Sequence, residues 1–129
     1  MQEQINHYLN KLNYEIDSSD VYEAIQKQEK IIVIDARKPQ AYQTCHIPNA
    51  LNLPHKQMNE ETTKMLDKDF LYVVYCDGIG CNASTKGALN MTRLGFKVKE
   101  LLGGLDWWKR DGYMSEDAAS VSNTLSCGC

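Results

Sequence analysis

The chain has no surplus of positive charge: 14 Lys and Arg stand against 17 Asp and Glu, for a formal net charge of -3. That balance argues against nucleic acid or an anionic membrane as the main partner. No apolar run has the length a bilayer demands. The start, Met1-Gln2-Glu3-Gln4, is polar and acidic where an export leader would be basic and then apolar. The chain is therefore expected to reside in the cytoplasm, away from membranes. Internal repeats are absent, and 129 residues are too few for two sizeable cores, so one domain is expected. With 43% apolar and 24% charged residues, the composition is that of an ordinary soluble globular protein.

Cysteine, by contrast, is plentiful. The five thiols at positions 45, 76, 81, 127 and 129 cannot all pair within one monomer. In a reducing compartment, clustered thiols point to redox, metal or sulfur chemistry more often than to structural disulfides. No complete set of metal ligands accompanies them, so neither a metal nor another cofactor is expected.

The stretch that organises the chain is 70–94. Leu71-Tyr72-Val73-Val74-Tyr75 is β-branched and aromatic without polar alternation, the pattern of a strand buried on both faces of a parallel sheet. It ends in Cys76-Asp77-Gly78-Ile79-Gly80-Cys81-Asn82, after which Ala83, Lys86, Ala88 and Leu89 favour helix. Two glycines allow a tight turn that points successive N–H groups inward. Cys76 would then sit between the end of a strand and the start of a helix, where the partial positive charge favours a thiolate.

Elsewhere, Ile5, Tyr8, Leu9, Leu12 and Ile16 recur at helical spacing and predict an amphipathic helix packed on the domain. Residues 14–16 read as a short edge strand, and a helix over 20–29 follows, with Val21, Ala24, Ile25 and Gln28 on one face. Ile31-Ile32-Val33-Ile34 predicts a second central strand, from whose end Asp35 and Arg37 emerge where open α/β sheets carry their sites. On the residues alone, that pair is equally suited to tethering a loop. Residues 40–44 form about one helical turn, and 45–54 run extended. His46 has the chemistry of a general base, although a hydrogen-bonded structural role is the commoner one for such a histidine. Residues 55–67 predict one or two short helices anchored by Met58, Met65 and Leu66. Gly95 is a natural helix stop, 96–101 alternates as an outer strand, and 106–110 is a short helix burying Trp107 or Trp108. Alternating strands and helices give an α/β sheet, mainly parallel and covered on both faces. The domain is placed at 1–113, and 114–129 reads as a flexible tail ending in Cys127-Gly128-Cys129.

Val33-Ile34-Asp35-Ala36-Arg37, His46-Ile47-Pro48-Asn49-Ala50, Val73-Val74-Tyr75-Cys76, Gly95-Phe96 and Leu102-Gly103-Gly104-Leu105-Asp106-Trp107 together resemble a single-domain rhodanese. The resemblance covers residues 14–113. It implies a rhodanese-like fold with a five-stranded sheet and a sulfurtransferase or sulfur carrier. Cys76 would accept sulfane sulfur as a persulfide from thiosulfate, a polysulfide or another persulfide, then pass it to a thiol acceptor, small or on a protein. It also implies that Asp35 and Arg37 brace the active loop. A persulfide carries its charge on the outer sulfur, and N–H groups of residues 77–82 would stabilise that charge.

Several features depart from the family pattern, among them Cys45 and Asn49, which stand where the family usually has Gly before and after His46-Ile47-Pro48. Where such loops carry Arg five positions after the cysteine, this chain has Cys81, and a dianion such as thiosulfate would lose a bidentate partner. Cys81 could instead attack a persulfide or sulfenate on Cys76, closing a disulfide. The terminal Cys127 and Cys129, outside the family pattern, are incidental, further candidate thiols that resolve or receive sulfur from Cys76, or, the least favoured of these readings, half of a metal site. A redox sensor or binding module toggling Cys76 with Cys81 is the competing reading. A phosphatase or arsenate reductase of the same architecture is disfavoured, because the arginine such loops place six positions after the cysteine is Asn82 here.

Overall fold

The computed structural model describes residues 1–116. It contains α1 (Gln2–Tyr14), β1 (Glu15–Ile16), α2 (Ser18–Gln26), β2 (Ile31–Asp35), α3 (Pro39–Thr44) and β3 (Leu51–Asn52). A 3-10 turn (His55–Gln57), α4 (Glu60–Thr63), β4 (Leu71–Tyr75), α5 (Ala83–Arg93), β5 (Lys97–Leu101) and α6 (Gly104–Arg110) complete the described chain. The five strands form one sheet in the order β1-β5-β4-β2-β3, and every neighbouring pair is parallel. Among the described residues, no helix is long and apolar enough to cross a membrane.

The unalternating strands are explained by two cores. Val33, Val73 and Tyr75 pack with Val21, Ile47, Leu105 and Trp108 on one face. Ile34, Tyr72 and Val74 pack with Met58, Met91 and Phe96 on the other. With Tyr72 through Tyr75 fully buried, each side chain contributes about 1.5–3 kcal/mol by leaving water. Helix α5 approaches the sheet through Gly87, where a Cβ would meet Val74 Cγ1 at 3.0 Å and Met58 Cε at 3.1 Å.

Several expectations needed correction. Helix α1 forms but buries no residue, and Leu12 is 71% exposed. Its hydrophobic periodicity identified a face, yet the helix meets the sheet only lightly, at β1 and β5, where Lys99 Nζ donates to the Leu12 carbonyl at 3.2 Å. Strand β5 is an interior strand, not an outer one, because the two-residue β1 takes the edge beside it. Helix α2 ends at Gln26, since Gln28 adopts a left-handed φ of 57° and faces solvent. Met65 is 88% exposed and anchors nothing, whereas Met58 and Leu66 do pack on the core. Of the two tryptophans, Trp108 is the buried one.

The chain also stays on the domain beyond Tyr113. Ser115 is buried, and Glu116 makes an antiparallel bridge with His46 through N–H···O bonds of 2.8 and 2.9 Å. Cys127, Cys129 and the rest of the expected tail from 117 onward lie outside the described residues.

Candidate active site

In a parallel sheet all strands deliver their carboxyl ends to the same edge. The ends of β2, β4 and β5 here bring together Asp35 and Arg37, the 76–82 loop, and the glycine turn at 103–104. Cys76 follows β4 directly and is only 2% exposed. Its carbonyl accepts the Leu105 N–H at 3.0 Å, and the Asp77 carbonyl accepts the Asp106 N–H at 2.8 Å. The first turn of α6 therefore holds the start of the loop by its backbone.

That close approach requires Gly104, whose φ is 57°. A Cβ there would run into the Cys76 carbonyl and lie 3.0 Å from Gly78 N. The residues on both sides of this contact were visible in sequence as two glycine turns, but nothing in their spacing says that one supports the other.

The second support is electrostatic. Arg37 donates to the fully buried Asp35 through Nε (3.0 Å) and Nη2 (2.7 Å), and through Nη1 to Asp77 Oδ1 at 2.9 Å. Nη2 also donates to the Cys45 carbonyl at 2.5 Å. Burial alone would lower the pKa of this guanidinium. Hydrogen bonding and charge from Asp35, with help from Asp77 and Tyr75, outweigh it and hold the pKa above its ordinary value.

Tyr75 completes the brace, a role that the sequence reading missed. Its hydroxyl donates to Asp35 Oδ2 at 2.7 Å and accepts the Ile47 N–H at 3.0 Å. Burial and then the Asp35 charge push its pKa well above the usual phenol range. A polar-tipped residue immediately before the cysteine was the available signal. Asn52 Nδ2 adds a bond to the Arg37 carbonyl at 3.0 Å.

Within the loop, Cys76 and Cys81 are joined by a disulfide, with Cα atoms 6.2 Å apart. The Cys81 N–H donates back to the Gly78 carbonyl at 3.1 Å, so this amide is used inside the turn and not on the Cys76 sulfur. Ile79 points outward at 86% exposure. Asn82 is the residue before α5 and makes no side-chain cap. The first turn of α5 already faces a carboxylate, since Ser84 and Thr85 hydroxyls each donate to Glu100 Oε2 at 2.7 Å. Donor atoms of Cys76, Asp77 and Cys81 lie within 4.8 Å of one another, but the two sulfurs are bonded together and the carboxylate is held by Arg37.

A cleft of about 460 Å³ opens over this loop, and Arg37, Lys38, His55, Lys56, Cys76 and Cys81 are among the residues that line it. Partial burial, then the charges of Lys86 and Lys56, lower the pKa of His55. This cationic rim comes from segments distant in sequence from the loop. His46, by contrast, is built into the scaffold. It stacks on Tyr42 with centroids 3.8 Å apart, its Nδ1 bonds the Tyr42 carbonyl at 2.7 Å, and its Nε2 lies 3.4 Å from Glu116 Oε1.

The family model described as a rhodanese-like domain matches residues 18–111. The thiosulfate sulfurtransferase GlpE of Coxiella burnetii is 34% identical over 97 residues, which cover 74% of this chain and 86% of that protein. The crystal structure of the BH2092 protein from Bacillus halodurans superposes with a TM-score of 0.87 at 41% identity, covering 97% of this chain and 92% of that one. A full-length protein from Lactobacillus plantarum superposes with a TM-score of 0.78 at 26% identity, covering 90% and 98%.

Proposed function

Because the chain belongs to the rhodanese-like domain family, we propose that it is a sulfurtransferase that carries sulfane sulfur as a persulfide on Cys76. The reduced Cys76 thiolate attacks the outer sulfur of thiosulfate, a polysulfide or a persulfide. With thiosulfate, the S–S bond breaks and sulfite leaves. A thiol acceptor, small or on a protein, then takes the outer sulfur and regenerates the Cys76 thiolate.

The observation that carries this reading is the setting of Cys76. It is a nearly buried cysteine at the end of the central strand, on a loop held by α6 on one side and Arg37 on the other. Such bracing fixes the nucleophile against the cleft in advance of reaction. The loop itself lacks a cationic side chain, but Lys38 and Lys56 line the same cleft. They supply point charges for an anionic donor in place of a bidentate arginine. The similarity to a protein named as a thiosulfate sulfurtransferase supports the same donor class.

The test is intact mass spectrometry of the fully reduced protein after thiosulfate or polysulfide treatment, with peptide mapping of every cysteine. One added sulfur on Cys76, absent in Cys76→Ser, is expected. A folded protein that never gains sulfur at Cys76 refutes the assignment.

A further inference from the structure

The loop carries a second thiol that simple transfer to an outside acceptor leaves unused. We propose that Cys81 resolves the Cys76 persulfide within the chain, so that the protein releases sulfide and closes the Cys76–Cys81 disulfide, which a dithiol reductant must then reopen. This rests on the reading of Cys76 as the persulfide-bearing residue.

Three observations support it. Cys76 and Cys81 are five residues apart, and the loop brings them into direct bonding. In that bonded state the supports of the loop are all in place: Leu105 and Asp106 on the carbonyls of Cys76 and Asp77, Arg37 on Asp77, and Cys81 N–H on Gly78. Resolution therefore does not require the loop to leave its anchors. Cys81 is only half-buried and lines the same cleft as the nearly buried Cys76, so it stands on the route an outside acceptor would use.

The chemistry balances without a further reactant. Cys81, as thiolate, attacks the inner sulfur of Cys76–S–SH. The Cys76–Cys81 bond forms as the inner-to-outer S–S bond breaks, and the outer sulfur leaves as hydrosulfide with the proton it already carries, the Cys81 proton having gone to water when the thiolate formed. The sulfane sulfur gains two electrons, which the two cysteine sulfurs lose. An external dithiol afterwards gives up two electrons and two protons to restore both thiols. The competition favours Cys81, because a thiol tethered five residues away acts at an effective concentration of millimolar or more. Position 81 thus separates a sulfide-releasing cycle from a carrier that waits for its acceptor.

The experiment loads the fully reduced, reductant-free protein with thiosulfate and follows free sulfide, cysteine mass and the Cys76–Cys81 disulfide together. Wild type is expected to release about one sulfide per chain in a single burst, and to end as the mapped disulfide. Cys81→Ser and Cys81→Ala should hold sulfur on Cys76 with no burst, and discharge it only when an external thiol is added. A wild-type persulfide that is as long-lived as in both variants, with no Cys76–Cys81 link, overturns the inference while leaving Cys76 as the carrier. So does a burst that persists without Cys81. If no protein takes up sulfur at Cys76, the carrier reading itself fails and resolution falls with it. Wild type alone decides through its disulfide map if both variants are unstable.

Discussion

Replacing Arg37 with methionine isolates the brace beneath the loop. Methionine keeps an apolar stem and the backbone N–H but removes the guanidinium. Asp35 is 0% exposed and would be left with two donors, the Tyr75 hydroxyl at 2.7 Å and the residue-37 N–H at 2.9 Å, and no counter-charge. Removing one member of a buried pair in this way costs about 3–5 kcal/mol. The bond to Asp77 adds little, because that side chain is 69% exposed and water can replace Arg37 there. At roughly 3–5 °C per kcal/mol for a chain of this length, Tm should fall on the order of 10–20 °C. Adding Asp35→Asn removes the stranded charge yet keeps an oxygen for Tyr75, so the double variant should be more stable than Arg37→Met alone. Thermal and urea unfolding followed by circular dichroism would measure both. A loss under about 1 kcal/mol, the scale of an exposed pair, or a double variant no more stable than the single one, would refute the account of a buried brace.

Two more outcomes follow from the same geometry. Gly104→Ala should destabilise the fold by about 1–2 kcal/mol from its left-handed backbone alone, with the contact against the Cys76 carbonyl added. It should also alter the rate at which reduced Cys76 reacts with iodoacetamide, and unchanged stability with unchanged alkylation would contradict the support assigned to the glycine turn. His55 should titrate below the ordinary imidazole value of about 6.5. The unfolded chain then binds the proton more readily, so the stability His55 contributes is present above that value and is lost as pH falls through its lower folded midpoint. Burial is the larger cause, and proton NMR of the imidazole should show the midpoint rising part of the way when Lys86 and Lys56 are both changed to Gln; an unmoved midpoint would leave burial as the whole cause.

The unbroken apolar run from Leu71 to Tyr75 announced a strand with two covered faces, and the glycines after Cys76 announced a turn into a helix. Both are local signals, set by side-chain periodicity and backbone freedom within a few residues. They place a cysteine at the end of a central strand without reference to the rest of the chain. The spacing of Cys81 likewise put a second thiol in the loop. The same local logic misjudged α1, because amphipathicity names a face and not a partner, and β5, because alternation does not reveal whether a short strand such as β1 will cover an edge.

The contacts that tie the loop to the rest of the domain are non-local. Arg37 reaches Asp77 across a sequence separation of 40, Tyr75 ties Asp35 to Ile47, and the α6 amides close on the carbonyls of Cys76 and Asp77. Parallel strand order decides these meetings, since it delivers the ends of β2, β4 and β5 to one edge. Bonds between partners so far apart in sequence leave no periodic trace, and only the assembled sheet brings their donors within reach of their acceptors.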